Sequence, residues 1–248
     1  MRWSRASRRG APDDGRVTAL VAGVDGCRAG WVIVRSDGAT LVAPTFAAVL
    51  TAASDAAVIG LDMPIGLLDR AVPGGRDCDR LARRLLGRRG CCVFTPPVRA
   101  ALSARAYRAA LAANRASSAA RLGISIECFG LFAKLREVDE LLAAAPALAE
   151  RVSEVHPELA FREMAGAPVG LPPKRSPAGR ARRLALLARR FPHARAAAAR
   201  PPRGARADDV IDAHAVCWSA ARIARRRAVC LPARPSRDAR GLPMAIWY

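Results

Sequence analysis

Two apolar segments, each ending in a carboxylate, constrain the fold of this chain more than any other feature. Residues 20–25 (LVAGVD) end at Asp25, and residues 56–62 (AAVIGLD) end at Asp62. Neither segment alternates apolar and polar side chains, so each is expected to form a strand covered on both faces, as in the parallel part of an α/β sheet. The chain is therefore predicted to be an α/β protein in which two buried strands each end at an acid.

Five segments have strand character, and their spacing predicts a mixed sheet. In chain order they are residues 20–25, 31–34, 40–42, 56–62 and 152–157. The first three lie close together, and a Ser-Asp-Gly hairpin signal joins the second to the third, so they are expected to form an antiparallel meander. The fourth is expected to return parallel to the first. We therefore predict a five-stranded sheet flanked by helices, with a helical insertion.

The length of 248 residues fits one large domain or two small ones. A hydrophobic content of 52% excludes a disordered chain and allows a core that needs no disulfide or structural metal. Residues 1–16 are basic and polar and are expected to form a flexible arm. Residues 17–248 are expected to form a single domain, whose helical insertion covers about residues 70–150.

Capping signals predict where the main helices begin and end. Asp77 is expected to cap a helix that ends at Gly87, and Asp208 is expected to cap the last long helix. Residues 192–206, rich in proline and arginine, are expected to form an irregular connection. The apolar tail at residues 244–248 is expected to pack back on the domain.

The charge of the chain favours a polyanionic partner. Basic residues outnumber acidic ones by 41 to 21, which gives a net charge of +20. Coding bias explains why only Lys134 and Lys174 are lysines, but it does not by itself require an excess of bases over acids. The residues expected to contact the phosphate backbone of DNA or RNA, from an arginine-rich segment at 76–89 and a basic loop at 170–177, are Arg80, Arg84, Lys174 and Arg175.

Neither a membrane segment nor a disulfide framework is expected. No apolar run approaches the roughly 20 residues needed to span a bilayer, and no apolar signal-peptide core follows the basic N-terminus. The seven cysteines include no Cys-x-x-Cys pair and no zinc-finger spacing, which is typical of free thiols in a reducing compartment. We therefore predict a cytoplasmic protein without a membrane partner. The sequence leaves its oligomeric state open.

The acids at the strand ends suggest a metal site. If the first and fourth strands are neighbours, Asp25 and Asp62 lie side by side, and the helix that carries Asp209 and Asp212 can dock over them. Carboxylate clusters suit Mg²⁺ or Mn²⁺, and two such ions assist phosphodiester cleavage. The alternative is a separate structural role for each acid, in a turn or a helix cap.

The chain also resembles a known family in several ordered motifs. They are residues 22–31 (AGVDGCRAGW), 61–67 (LDMPIGL), 135–139 (LREVD), 154–158 (EVHPE), 208–213 (DDVIDA) and 237–242 (RDARGL). Together these motifs resemble the domain of unknown function family 429, whose members are described as predicted RNase H-like nucleases. The resemblance covers about residues 20–248, and the length and order of the motifs make it specific.

The resemblance implies an RNase H-like fold in which Asp25 is the first-strand acid and Asp62 the fourth-strand acid. Asp209 and Asp212 are then similar to the last-helix acids of Holliday-junction resolvases, and Glu154 is a candidate further ligand. RNase H-like folds also carry ATPases and inactive scaffolds, so the fold alone does not decide the function.

These observations predict a divalent-metal-dependent nuclease that hydrolyses phosphodiester bonds of DNA or RNA. The expected metal ligands are Asp25, Asp62 and Asp212, with Asp209 and Glu154 as additional catalytic acids. Two alternatives stay open, namely an inactive nucleic-acid-binding protein of the same fold and a nucleotide phosphohydrolase or phosphotransferase. His156 could shuttle protons or simply bond to its own turn.

Overall fold

The computed structural model describes residues 19–166 and 170–248, so the predicted arm at residues 1–16 lies outside the described residues. The strands of the main sheet are β1 (Val21–Cys27), β2 (Gly30–Arg35), β3 (Thr40–Ala43), β4 (Val58–Leu61) and β5 (Val152–Glu154). The helices up to β5 are α1 (Phe46–Ala52), α2 (Asp77–Leu86), α3 (Tyr107–Ala116), α4 (Ile126–Gly130), α5 (Phe132–Ala144) and α6 (Pro146–Ala149). After β5 follow α7 (Pro157–Ala165), α8 (Pro177–Leu187), α9 (Ala194–Ala199), α10 (Ala207–Ala224), β6 (Cys230–Leu231) and β7 (Ile246–Trp247).

The main sheet has the predicted topology. Its strand order is β3-β2-β1-β4-β5, with β2 antiparallel to both β1 and β3. The pairs β1–β4 and β4–β5 are parallel. An antiparallel meander extended by two parallel strands is consistent with an RNase H-like fold, and the predicted fold class is confirmed.

Both faces of the central strands are covered, as the apolar segments predict. Along β2, Trp31 and Ile33 belong to a core shared with α1 and α5, whereas Val32 and Val34 belong to a core shared with α7, α8 and α10. All four side chains have no exposed surface. The helices therefore form two layers with the sheet between them.

Two glycines allow α10 to lie directly against the sheet. Gly23 of β1 pairs with Gly60 of β4. A Cβ atom on Gly23 would lie 2.1 Å from the backbone nitrogen of Cys217, and one on Gly60 would lie 2.8 Å from Val216 Cγ1. This close approach fixes the height of α10 above the ends of both strands.

The predicted insertion corresponds to the helices between β4 and β5. Residues 62–151 there hold α2 to α6 and two 3₁₀ helices, Gly87–Cys92 and Arg99–Ser103. The tail packs back as expected, because β7 pairs with β6 and Ile246 and Tyr248 are buried. No helix among residues 19–166 and 170–248 is both long and apolar enough to cross a membrane.

Three local predictions were wrong. The cap of α2 is Arg76 rather than Asp77, and the cap of α10 is Arg206 rather than Asp208. In each case the acid three residues after the cap accepts the backbone N–H of the cap residue, so it fixes the helix start from inside the first turn. The connection at residues 192–206 contains α9, whose alanines have high helix propensity.

Candidate active site

The ends of β1 and β4 place Asp25 beside Asp62. The parallel register pairs Val24 with Leu61, and the backbone N–H of Asp62 donates to the Val24 carbonyl at 2.9 Å. Each acid directly follows a residue of this paired register. The sequence-based expectation that the two acids are neighbours is therefore met by the strand pairing.

The start of α10 brings Asp212 to the same place. Side chains two residues apart on a strand share a face, so Asp25 and Asp62 lie on the face that Gly23 and Gly60 open to α10. Asp212 is buried in the second turn of α10, close to the carbonyl of Ala213 that meets Gly23. A Gly-x-Asp pattern in both strands is therefore the local signal for this convergence.

The three acids line one pocket of about 230 Å³. Its wall includes the ends of β1, β4 and β5, the starts of α7 and α10, and the 3₁₀ segment that ends at Cys92. The charged and polar side chains around the pocket are Asp25, Asp62, Arg76, Asp79, Glu154, His156, Glu158, Lys174 and Asp212.

Burial and mutual repulsion make the three acids unusual. Burial raises the pKa of Asp25 well above its usual value, and the nearby Asp62 and Asp212 carboxylates raise it further. Burial, and next Asp212, likewise raise the pKa of Asp62. Within the described part of the chain, neither Asp25 nor Asp62 has a side-chain hydrogen bond or ion pair. Both are therefore short of positive partners.

Lys174 is the cation of this cluster. Its ammonium lies 2.8 Å from Asp212 Oδ2. Burial raises the pKa of Asp212, as it does those of Asp25 and Asp62, and the charge of Lys174 offsets part of each rise. The sequence placed Lys174 in a basic loop facing nucleic acid, whereas the structure turns its side chain toward the acids. No local sequence pattern indicates this pairing, because Lys174 and Asp212 are separated by 38 residues.

Glu154 lies in the pocket wall but its two oxygens are already bonded. Arg76 donates to Glu154 Oε1 at 2.7 Å and to Oε2 at 2.8 Å, and the Ile65 backbone N–H donates to Oε2 at 2.7 Å. Arg76 also pairs with Asp79, and the three side chains are almost fully buried. This bonding favours a role for Glu154 in holding the pocket wall. Arg76 belongs to the arginine-rich segment at 76–89 from which phosphate contacts are expected, but it is buried in these two ion pairs.

Glu158 and His156 also have structural partners. Arg183 Nη2 lies 2.8 Å from Glu158 Oε1, and Arg89 Nε lies 2.9 Å from Oε2. His156 Nδ1 accepts the backbone N–H of Glu158 at 3.3 Å, and Nε2 lies 3.3 Å from the Cys92 carbonyl. Burial lowers the pKa of His156, which favours the neutral form of the ring. These bonds favour the turn-stabilising alternative over the proton shuttle.

Asp209 is close to the cluster but serves the helix. Its Oδ2 accepts the backbone N–H of Arg206 at 2.8 Å, which caps α10. Its charge still contributes to the raised pKa of Asp25. A catalytic role for Asp209 stays a prediction.

The other predicted phosphate contacts lie outside the pocket wall. Arg80, Arg84 and Arg175 are exposed, the first two on α2 and the third beside Lys174. Arg80 is paired with Asp77 in the first turn of its helix. Their predicted contact with nucleic acid stays a prediction.

Several motif acids outside the pocket connect parts of the fold. Glu137 Oε2 accepts from the Phe46 backbone N–H at 2.8 Å and from the Trp31 ring nitrogen at 3.3 Å. Asp238 Oδ2 accepts from the Leu67 backbone N–H at 2.9 Å, so the tail holds the loop after β4. Arg99 bridges Asp238 and Asp139. These contacts give the acids of the two motifs a structural role in connecting elements of the fold.

The charge balance of the pocket is negative. Around it, six acids face Arg76, Arg89, Arg183 and Lys174, which leaves two negative charges when every carboxyl is ionised. No group of three or more His, Cys, Asp or Glu side chains among the described residues is arranged so that it could hold a metal ion. Mg²⁺ nevertheless binds through one or two carboxylates plus water and phosphate oxygens, so the donor chemistry fits this ion.

Comparisons with known proteins identify the family. Searches of the curated proteins and of the solved structures find no match. A family model described as "Protein of unknown function (DUF429)" matches residues 23–237, which include Asp25, Asp62 and Asp212. The chain therefore belongs to the DUF429 family.

Proposed function

We propose that this protein is a divalent-metal-dependent nuclease that hydrolyses phosphodiester bonds of DNA or RNA. One observation carries the proposal: Asp25, Asp62 and Asp212 converge on one pocket from β1, β4 and α10, and among the described residues Lys174 alone forms an ion pair with any of them. The other acids in the pocket wall are bonded to arginines. The unneutralised acids are the ones available for a cation.

The residues at the pocket would have three different roles, namely metal binding, support of the pocket wall and phosphate binding. Asp25 and Asp62 would hold a divalent cation, Mg²⁺ or Mn²⁺, and Asp212 would complete the acidic wall. The bound cation supplies Lewis acidity and a water of lowered pKa. Arg76 and Glu154 keep β5 and the loop after β4 in place, so the two strand ends stay aligned. Exposed arginines around the pocket would bind the phosphate backbone without reading its sequence.

The test is cleavage of labelled oligonucleotides by the purified protein. The panel includes single-stranded and duplex DNA, single-stranded and duplex RNA, and an RNA–DNA hybrid, each with Mg²⁺, Mn²⁺ or EDTA. We expect metal-dependent cleavage of at least one substrate, and we expect Asp25→Asn and Asp62→Asn to lower its rate by about 10²-fold or more while binding persists. Asp55→Asn is the matched control, because Asp55 is exposed and pairs with Arg35 outside the pocket.

Two results would replace this function with its alternatives. Tight oligonucleotide binding without cleavage in either metal would favour an inactive nucleic-acid-binding protein. Release of phosphate from free nucleotides, with no cleavage of polymers, would favour a nucleotide phosphohydrolase.

A further inference from the structure

The Lys174 side chain lies beside the acids of the pocket and is also partly exposed to solvent. Its ammonium is 2.8 Å from Asp212 Oδ2, while 42% of the side chain is exposed to solvent. Lys174 therefore lines the same pocket as the three acids while part of its side chain is open to solvent. It provides one positive charge for three clustered carboxylates.

The backbone that carries Lys174 is held firmly in place. The Pro172 carbonyl accepts a hydrogen bond from the buried Arg183 at 3.0 Å. A Cβ atom on Gly179 would lie 1.9 Å from the Pro173 carbonyl oxygen, so this loop lies directly on α8. Ser176 Oγ accepts the Gly179 backbone N–H at 3.0 Å and closes the turn. Any movement of the ammonium must therefore come from the flexible four-carbon side chain.

The residue type at this position is also unusual for the chain. Of 41 basic residues only Lys134 and Lys174 are lysines, and the buried ion pairs of Glu154 and Glu158 in the pocket wall use arginine. Arginine forms a rigid two-pronged bond to a carboxylate, whereas an ammonium is a point charge that can exchange partners by rotating its stem. A lysine at residue 174 suits a cation that must change partner.

These observations lead to an inference that rests on the proposed function. We propose that Lys174 is a switching cation: it neutralises Asp212 in the metal-free protein, and it moves to a phosphate oxygen of the substrate when a divalent ion occupies the acids. Repulsion between an ammonium and a divalent ion in one small pocket supplies the drive. Metal binding and phosphate binding are then coupled through a single side chain.

The first experiment measures Mn²⁺ binding by isothermal titration calorimetry without nucleic acid. Lys174→Gln removes the competing charge, so we expect it to bind Mn²⁺ about tenfold more tightly than the unaltered protein. Lys174→Arg keeps the charge and is expected to bind no more tightly than the unaltered protein. Lys134→Gln is the control for loss of a lysine charge, because the ammonium of Lys134 lies 5.5 Å from the centre of the Trp31 ring and makes no ion pair with an acid among the described residues.

The second experiment measures oligonucleotide binding by fluorescence anisotropy with Ca²⁺ or with EDTA. Ca²⁺ is expected to increase the affinity of the unaltered protein, because it releases Lys174 to the phosphate. In Lys174→Gln we expect the increase in affinity to be at least about threefold smaller, because this variant loses one charge-assisted contact with the phosphate. Circular dichroism of each variant confirms that it is folded.

Each outcome separates this inference from the proposed function. Equal Mn²⁺ affinity of Lys174→Gln and the unaltered protein would overturn the switching role and leave the metal site standing. Weaker binding by Lys174→Gln would also overturn it, because Lys174 would then position Asp212 for the metal. No Mn²⁺ binding by either protein would overturn both the metal site and the switch.

Discussion

The carboxylates at the pocket differ in whether their oxygens have hydrogen-bond partners. Glu154 receives three hydrogen bonds at 2.7–2.8 Å, Glu158 is held by Arg183, and Asp209 caps α10. Asp25 and Asp62 have neighbours that repel them instead. A carboxylate in a pocket wall that is repelled by its neighbours and has no ion pair among the described residues destabilises a fold, so its presence at a strand end points to a function.

Burial of Asp25 and its repulsion by nearby acids predict a pH-dependent stability in the metal-free protein. Since folding raises the pKa of Asp25, the folded state holds more protons than the unfolded state, and stability falls as the pH rises from the usual Asp range. Asp25→Asn removes this penalty. At pH 7.5 in EDTA we expect the variant to unfold at a temperature about 3 °C higher, which corresponds to about 1 kcal/mol.

Calorimetry at two pH values tests this prediction. At pH 4 the difference in unfolding temperature between the two proteins is expected to shrink. The Asp25 carboxyl of the folded unaltered protein is then protonated and, like the asparagine of the variant, carries no charge. Asp55→Asn is the control, because Arg35 holds the pKa of Asp55 below its usual value and the sign is reversed. A variant that is less stable than the unaltered protein at pH 7.5 would show that Asp25 has a favourable partner.

At the scale of elements, the distance between α10 and the sheet decides whether the acids meet. Gly23 leaves no room for a side chain, because the backbone nitrogen of Cys217 lies 2.1 Å from the position of a Cβ atom. Gly23→Ala must push α10 outward and carry Asp212 away from Asp25. We expect a loss of about 1–3 kcal/mol in unfolding free energy, measured by urea denaturation.

Gly123→Ala is the matched control for this helix displacement. Gly123 has a negative or extended φ, and its Cβ would meet Leu111 Cδ1 at an ordinary 3.5 Å. We expect little change in its urea midpoint. If Gly23→Ala were as stable as this control, the sheet and α10 would tolerate a wider spacing than the packing indicates.

The strands were predictable from sequence because the information for them is local. Non-alternating apolar segments at β1 and β4, with a hairpin signal after β2, predicted the meander and the parallel return of β4 beside β1, which makes Asp25 and Asp62 neighbours. The partners of the acids were not predictable, because Arg76 and Glu154 are 78 residues apart. Periodicity and capping signals extend over one element, whereas an ion pair between elements depends on the completed fold.

At the scale of the whole molecule, the chain carries a net charge of +20, whereas the described residues around the pocket carry an excess of negative charge. Part of the arginine excess is used inside the fold, since Arg76 and Arg183 are buried in ion pairs. The arginines available to a partner are the exposed ones, including Arg84 and Arg175. Binding of a polyanion should therefore depend on a subset of the basic residues rather than on the total charge.

The salt dependence of nucleic-acid binding measures that subset. Each phosphate contact with duplex DNA contributes about −0.9 to the slope of log affinity against log salt concentration. We expect the affinity to fall by about 10³-fold between 50 and 200 mM NaCl. The measurement is made in EDTA to prevent cleavage. Arg84→Ala and Arg175→Ala should each make the slope shallower by about 1 and lower affinity similarly for all sequences.

Arg35→Gln should leave the slope unchanged, because Asp37 and Asp55 already neutralise Arg35. A slope near zero in the unaltered protein would mean that the excess charge does not serve nucleic-acid binding.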